Sequence, residues 1–103
     1  MEVIKLTAEN FEETVLKSNK PVLIDFFATW CGPCKMLSPV VDEVAEEVDD
    51  VVFCKVDVDA ESSLAEKFNI MSVPTLVLVE NGEVENSSVG FIPKEELLEF
   101  IGK

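Results

Sequence analysis

The sequence predicts an α/β fold in which helices lie on both faces of a mixed β-sheet. Apolar runs typical of buried strands alternate with segments of helical periodicity. The first strand, helix and strand imply a crossover with parallel pairing. Asn81-Gly82 separates two β-compatible runs and predicts an antiparallel hairpin. The order of elements is βαβαβαββα, and 103 residues, 48% of them hydrophobic, predict a single domain over residues 1–103.

The N-terminal half predicts two strands and two helices. A short strand is expected at residues 3–6, and Thr7 is the expected N-cap of a helix that ends near Lys17. Residues 22–28 form a mostly apolar run and predict a buried strand. The segment that follows has apolar residues at helical spacing, namely Met36, Leu37, Val40, Val41, Val44, Ala45 and Val48.

The C-terminal half predicts the remaining strands and helices. Strands are expected at residues 51–56, 75–79 and 83–89, and helices at residues 62–68 and from near Pro93 onwards. Asn69 is the candidate residue after the C-cap of the first of these helices, a position that favours the left-handed conformation.

Trp30-Cys31-Gly32-Pro33-Cys34 lies where the second strand ends and the long helix begins. Pro33 suits the first helical turn, where its missing N–H has no cost. The unpaired N–H groups and the dipole of that turn would stabilise a thiolate at Cys31, so we expect its pKa to fall and this cysteine to be an exposed nucleophile. Cys34 lies one turn further on the same face, within reach of a disulfide.

Asp25 interrupts the apolar strand six residues before Cys31. The simplest interpretation is that the strand exposes this carboxyl group to water. Its neighbours Ile24 and Phe26 are large and apolar, however, and the run has the pattern of a strand buried on both faces. A buried carboxyl group loses hydration of its charged form, so we expect the pKa of Asp25 to be raised.

The composition excludes several classes of function. A net charge of −13 disfavours binding to nucleic acid or anionic membranes, and favours solubility over selection of basic partners. Three cysteines without a histidine do not supply the four ligands of a typical zinc site, so no metal is expected. The odd cysteine count, with no leader-like pattern at the N-terminus, predicts a reducing compartment, the cytoplasm. No apolar run approaches the ~20 residues of a membrane span.

The stretch Trp30–Lys35, with Asp25-Phe26 upstream and Val73-Pro74-Thr75 downstream, resembles the thioredoxin family along essentially the whole chain. The resemblance implies the thioredoxin fold, with four helices around a five-stranded mixed sheet in the order 1-3-2-4-5. It also implies a monomeric protein-disulfide reductant without a bound cofactor. A thioredoxin reductase that uses NADPH and FAD would recycle it. The central pair Gly32-Pro33 resembles that of reductants rather than oxidants or isomerases.

The resemblance also assigns roles to the thiols and to the charged residues behind them. Cys31 would attack a substrate disulfide, and Cys34 would resolve the mixed disulfide. Asp25 would take the proton of Cys34, with Lys55 as its charge partner. Cys54 lies in a predicted buried strand and is expected to be inert packing.

Further positions match the family's substrate-binding surface. Trp30 would shield the disulfide and contact substrate, and the backbone of Val73 would pair with the substrate chain. Pro74 would follow a cis peptide bond and pack against the disulfide, although the sequence alone favours trans. Gly90 would form part of the groove, and Phe91 replaces the small residue frequent in the family.

Two other functions remain open at this point. The chain could be a binding or structural subunit with incidental thiols, because a fold does not determine a function. Both cysteines, Asp25, Lys55 and Pro74 argue against a scaffold, which needs none of them. It could also be a dedicated electron donor to one enzyme, for which Phe91 and the acidic surface leave room.

Overall fold

The computed structural model of the chain describes residues 2–103 and has the predicted order of elements. The strands are β1 (Ile4–Lys5), β2 (Val22–Phe27), β3 (Val52–Asp57), β4 (Thr75–Glu80) and β5 (Glu83–Val89). The helices are a short π-helix (Glu12–Leu16), α1 (Gly32–Glu47), α2 (Ser62–Lys67) and α3 (Lys94–Phe100).

The strands form one mixed sheet in the order β1-β3-β2-β4-β5, which confirms the order that the resemblance implied. β3 pairs in parallel with both β1 and β2, whereas β4 runs antiparallel to β2 and β5. The β4–β5 connection is the predicted tight turn, in which Asn81 and Gly82 have φ values of 52° and 79°. Two successive positive φ angles suit the right-handed twist of a hairpin. The central position of β2 places the end of that strand in the middle of the molecule.

Alternation along β2 divides the hydrophobic core between the two faces of the sheet. Leu23 packs with residues of α1 and α3, including Leu37 and Leu97. Ile24 and Phe26 pack on the opposite face with residues from the π-helix and from around α2. Asp25 has the same parity as Leu23, so its side chain points towards α1. The sheet thereby places a carboxyl group beneath the helix that carries the cysteines.

The regular part of the first helix is shorter than predicted, because it begins at Glu12, although Thr7 makes the side-chain hydrogen bonds of an N-cap. The Thr7 hydroxyl accepts a hydrogen bond from the N–H of Asn10 at 3.3 Å, and the Asn10 side chain accepts one from the N–H of Thr7 at 2.7 Å. These reciprocal bonds have the pattern of a capping box, and they close the turn through which the chain enters the helix. The π-helix then begins at Glu12 without a side-chain cap.

Asn69 ends α2 in the predicted left-handed conformation, with φ at 55°. The Ile70 N–H donates to the Ala65 carbonyl at 2.9 Å, and the Asn69 N–H donates to the Glu66 carbonyl at 3.0 Å. This pair of bonds is a Schellman motif, which satisfies the last carbonyls of the helix. The motif turns the chain out of α2 and into the loop of residues 70–74, which faces the cysteine pair.

Candidate functional site

Cys31 and Cys34 form a disulfide at the junction of β2 and α1, with 5.3 Å between their Cα atoms. Cys31 is the N-cap of α1, and its sulfur accepts a hydrogen bond from the N–H of Cys34 at 3.1 Å. Pro33 lies in the first turn, as predicted. The sulfur of Cys31 therefore occupies the place where a helix N-terminus stabilises negative charge.

The expectation that Cys31 is exposed is wrong for this disulfide form. The exposed fractions of Cys31 and Cys34 are 5% and 3%. Both cysteines pack with Ala28, and Val73 covers them from the facing loop. The sulfur of Cys31 lies 3.7 Å from the carbonyl oxygen of Val73. A disulfide sulfur has no hydrogen to donate, so this is a packing contact, and it brings the backbone of Val73 directly beside the reactive bond.

The loop that faces the disulfide is held by its own hydrogen bonds. The Val73–Pro74 peptide is cis, as the resemblance implied. The Pro74 carbonyl accepts a hydrogen bond from the N–H of Gly90 at 2.8 Å, and the Thr75 hydroxyl donates to the Ser72 carbonyl at 2.7 Å. Gly90 has φ at 96°, a conformation that side chains disfavour. The sheet thus brings Val73, Pro74 and Gly90 together at one edge of the site.

An apolar recess of about 420 Å³ lies beside the disulfide. Trp30 and Met71 form its most exposed walls, with exposed fractions of 70% and 93%. The Trp30 N–H donates to the carboxylate of Asp59 at 3.0 Å, which orients the ring at the mouth of the recess. Gly90 and Phe91 do not line this recess. Its lining consists of Trp30, Val58, Ile70, Met71, Ser72 and Val73. Exposed apolar surface of this kind is typical of sites of protein interaction.

Asp25 is buried behind the disulfide, with an exposed fraction of 4%. Among residues 2–103, nothing forms a hydrogen bond with its Oδ1 atom. Burial raises the pKa of Asp25 to about 7, the negative charge of Asp42 adds to the rise, and the positive charge of Lys55 opposes it. Lys55 is the register partner of Asp25 on β3, so both side chains lie on the α1 face. The predicted rise is present, and Lys55 acts in the expected direction.

A small cavity of about 110 Å³ connects Asp25 to Cys34. Its lining consists of Asp25, Phe27, Cys34, Lys35, Ser38 and Lys55. The volume is large enough to hold water, and the polar groups along its wall are those that ordered water needs. Asp25 and Cys34 therefore border one small cavity that water can enter.

Three functional residues were missed by the sequence interpretation. Asp59 follows β3 by two residues, and the carboxyl ends of parallel strands meet at one edge of a sheet, so its approach to the motif could have been inferred. Met71 precedes the Val-Pro-Thr stretch, but no sequence pattern marks its exposure. Asp42 belongs to the acidic side of α1, which is the pattern of a solvated face.

Other reactive or membrane-binding features are not found in the part of the chain that the structure describes. No group of three or more metal-ligating side chains is arranged around a common point within residues 2–103. No helix in this range has the length and hydropathy needed to cross a bilayer. Cys54 is fully buried in β3, and burial raises the pKa of its thiol to about 12. This thiol is therefore unreactive, as expected.

Comparison with known proteins gives consistent matches along the chain. The Thioredoxin family model matches residues 2–103. A thioredoxin of Staphylococcus haemolyticus is 46% identical over 104 residues, which cover 100% of this chain and 98% of the relative. A thioredoxin of Haemophilus influenzae is 43% identical, with coverages of 99% and 96%. The crystal structure of a Malassezia sympodialis thioredoxin is similar with a TM-score of 0.87 and 37% identity, covering 97% of this chain and 88% of that one.

Asp25→Asn is expected to stabilise the oxidised protein at neutral and alkaline pH. The folded pKa of about 7 lies above the unfolded value of about 3.9, so the folded protein binds more protons between these values. The contribution of Asp25 to stability is therefore most favourable below about pH 4, falls as the pH rises to about 7, and then levels off. Asparagine keeps the size and cannot ionise, so the gain at pH 8 should be roughly 1–4 kcal/mol.

Urea unfolding of the oxidised wild type and variant between pH 4 and 8 measures this effect. Asp49→Asn, the same replacement at an exposed position, is the matched control. A variant less stable than wild type at pH 8, or a difference that does not change with pH, would show that Asp25 does not titrate in the buried state.

Proposed function

The chain belongs to the thioredoxin family, and we propose that it reduces the disulfides of other proteins by attack of the Cys31 thiolate, followed by resolution by Cys34. It is a thiol–disulfide oxidoreductase with a redox-active Cys31–Cys34 pair. The observation that carries the proposal is the cap of α1, where the sulfur of Cys31 accepts a hydrogen bond from the N–H of Cys34. A helix N-terminus stabilises a thiolate, and the thiolate is the form that attacks a disulfide.

The exchange proceeds in two steps. The Cys31 thiolate attacks one sulfur of the substrate disulfide, an intermolecular S–S bond forms, and the other substrate sulfur leaves as a thiolate that takes a proton from water. Cys34, once deprotonated, attacks the sulfur of Cys31 and the intermolecular bond breaks. The Cys31–Cys34 disulfide forms and the second substrate sulfur leaves, so two electrons have passed to the substrate.

Asp25 is the base that we propose for the second step. It lines the same small cavity as Cys34, and its pKa of about 7 suits proton transfer near neutral pH. The charge of Lys55 stabilises the ionised carboxylate before the transfer, which keeps the pKa from rising further. Lys55 thus supports the base without itself contacting the substrate.

We propose that the substrate chain binds along the loop that faces the disulfide. The Val73 backbone lies beside Cys31 and is half-buried, so an extended substrate strand can pair with it. Trp30 and Met71 offer an apolar recess for side chains that flank the substrate cysteine. Gly90 holds Pro74 in place through its N–H, and the half-exposed Phe91 extends the apolar surface on that side.

Recycling requires a reductase, for which we propose a thioredoxin reductase that draws electrons from NADPH through FAD. The proposed setting is the cytoplasm, where thiols stay reduced, and the proposed active form is the monomer. Gly32 is proposed as support for the motif, although a side chain there would meet no atom within 4 Å.

Brief alkylation of the reduced protein at pH 7 is expected to label Cys31 first. Its sulfur lies at the N-terminus of α1, whereas Cys34 faces the small cavity that Asp25 also lines, and Cys54 is fully buried with its pKa raised to about 12. Mass mapping after limited treatment with iodoacetamide measures the order of labelling. Preferential labelling of Cys34 or Cys54 would contradict the assignment of the nucleophile.

Cys34→Ser is expected to trap mixed disulfides, whereas Cys31→Ser is not. Serine at position 34 cannot resolve the bond between Cys31 and a substrate, so the complex persists. Incubation of each variant with insulin, followed by non-reducing gel electrophoresis, measures trapping. With a thioredoxin reductase and NADPH, the wild type should reduce insulin and neither variant should turn over. Equal trapping by both variants would overturn the division of roles, and turnover by Cys31→Ser would overturn the proposed function.

A further inference from the structure

Lys55 lines two cavities. One is the small cavity that Asp25 and Cys34 also line. The other is an open recess of about 660 Å³, whose lining consists of Glu2, Val3, Asp42, Glu46 and Lys55. The half-buried Lys55 therefore borders both the buried carboxyl group and an acidic surface of α1. Among residues 2–103, no carboxylate lies within 4 Å of its ammonium group, so neither side neutralises it by a close ion pair.

We propose that Asp42 controls the protonation of Asp25 from across Lys55, and is thereby a positioning residue for proton transfer at Cys34. The inference deepens the proposed function, because it rests on Asp25 as the base for Cys34. Asp42 is exposed and lines the open recess together with Lys55, but it does not line the small cavity of Asp25 and Cys34.

The charged surroundings of Asp25 make Asp42 the carboxylate that opposes its ionisation. β3 contributes Lys55, and β1 contributes Lys5 as the register partner of Lys55. On the other side, β4 places Leu76 beside Asp25, and this residue has no charge. α1 contributes Cys34 and Lys35 to the small cavity, and Asp42 and Glu46 to the open recess. Of these neighbours, Asp42 is the one whose negative charge raises the pKa of Asp25 and so favours its protonated form.

The position of Lys55 strengthens this effect. A carboxylate in the open recess attracts the ammonium group towards the surface and so lessens its help to the Asp25 carboxylate. Removing the charge of Asp42 should therefore make Asp25 easier to ionise and weaker as a base. Asp25 would then ionise, and so become able to act as a base, at a lower pH. It would also accept the proton of Cys34 less readily.

The test is direct titration of the Asp25 side-chain carboxyl carbon by NMR in the oxidised protein. Asp42→Asn should lower the midpoint of the Asp25 titration by at least about 0.3 pH units, as expected for the loss of a nearby charge that water partly screens. Asp42→Glu, which keeps the charge, should restore the wild-type midpoint. Asp49→Asn removes the same charge from an exposed position outside both cavities and should leave the midpoint unchanged. At about 1 M salt, the difference between wild type and Asp42→Asn should shrink.

The pH profile of insulin reduction gives the functional readout and separates the two proposals. The rising limb should move to lower pH in Asp42→Asn and stay in place in Asp49→Asn. A midpoint that is unchanged or raised in Asp42→Asn, or lowered equally in Asp49→Asn, would overturn the role of Asp42. If Asp25→Asn keeps the wild-type profile, the role of Asp25 as base fails, while the NMR titration still decides whether Asp42 controls its protonation.

Discussion

Burial of one carboxyl group beneath α1 is the constraint on which the rest of the site depends. β2 must be central to desolvate Asp25, and the same strand must end at the cysteine motif to place Cys34 above it. Desolvation disfavours the charged carboxylate, so the fold loses stability at neutral pH and gains a base that titrates there. Stability and activity are thus opposed at this residue, as is common where a site needs a strained or desolvated group.

Much of this arrangement could be predicted because it follows from local patterns. The apolar run around Asp25, the helical spacing after Cys34 and Pro33 in the first turn locate the motif at a strand–helix junction. The Asn81-Gly82 turn and the left-handed Asn69 follow from backbone chemistry within a few residues. Strand order and the cis bond before Pro74 came from family resemblance, because periodicity does not determine either one.

The features that could not be predicted depend on contacts between segments that are distant in the sequence, or on the residue at which a regular helix begins. The burial of Cys31 comes from Val73 in a loop about forty residues later. Asp42 belongs to the exposed acidic side of α1, and its effect on Asp25 depends on Lys55, which β3 places in the lining of both cavities. Thr7 makes capping bonds with Asn10, but the regular helix begins only at Glu12, so the capping pattern did not locate its first residue. In each case the outcome depends on which atoms lie near a polar group or a sulfur atom in the folded chain.

Stopped-flow reaction of the reduced protein with an aromatic disulfide tests the role of the buried base most directly. The first thiolate released reports attack by Cys31, and the second reports resolution by Cys34. A buried base predicts that the second release accelerates as the pH rises through about 7, and that Asp25→Asn slows it roughly tenfold or more while leaving the first release unchanged. A second release with the same rate and pH dependence in wild type and Asp25→Asn would contradict it.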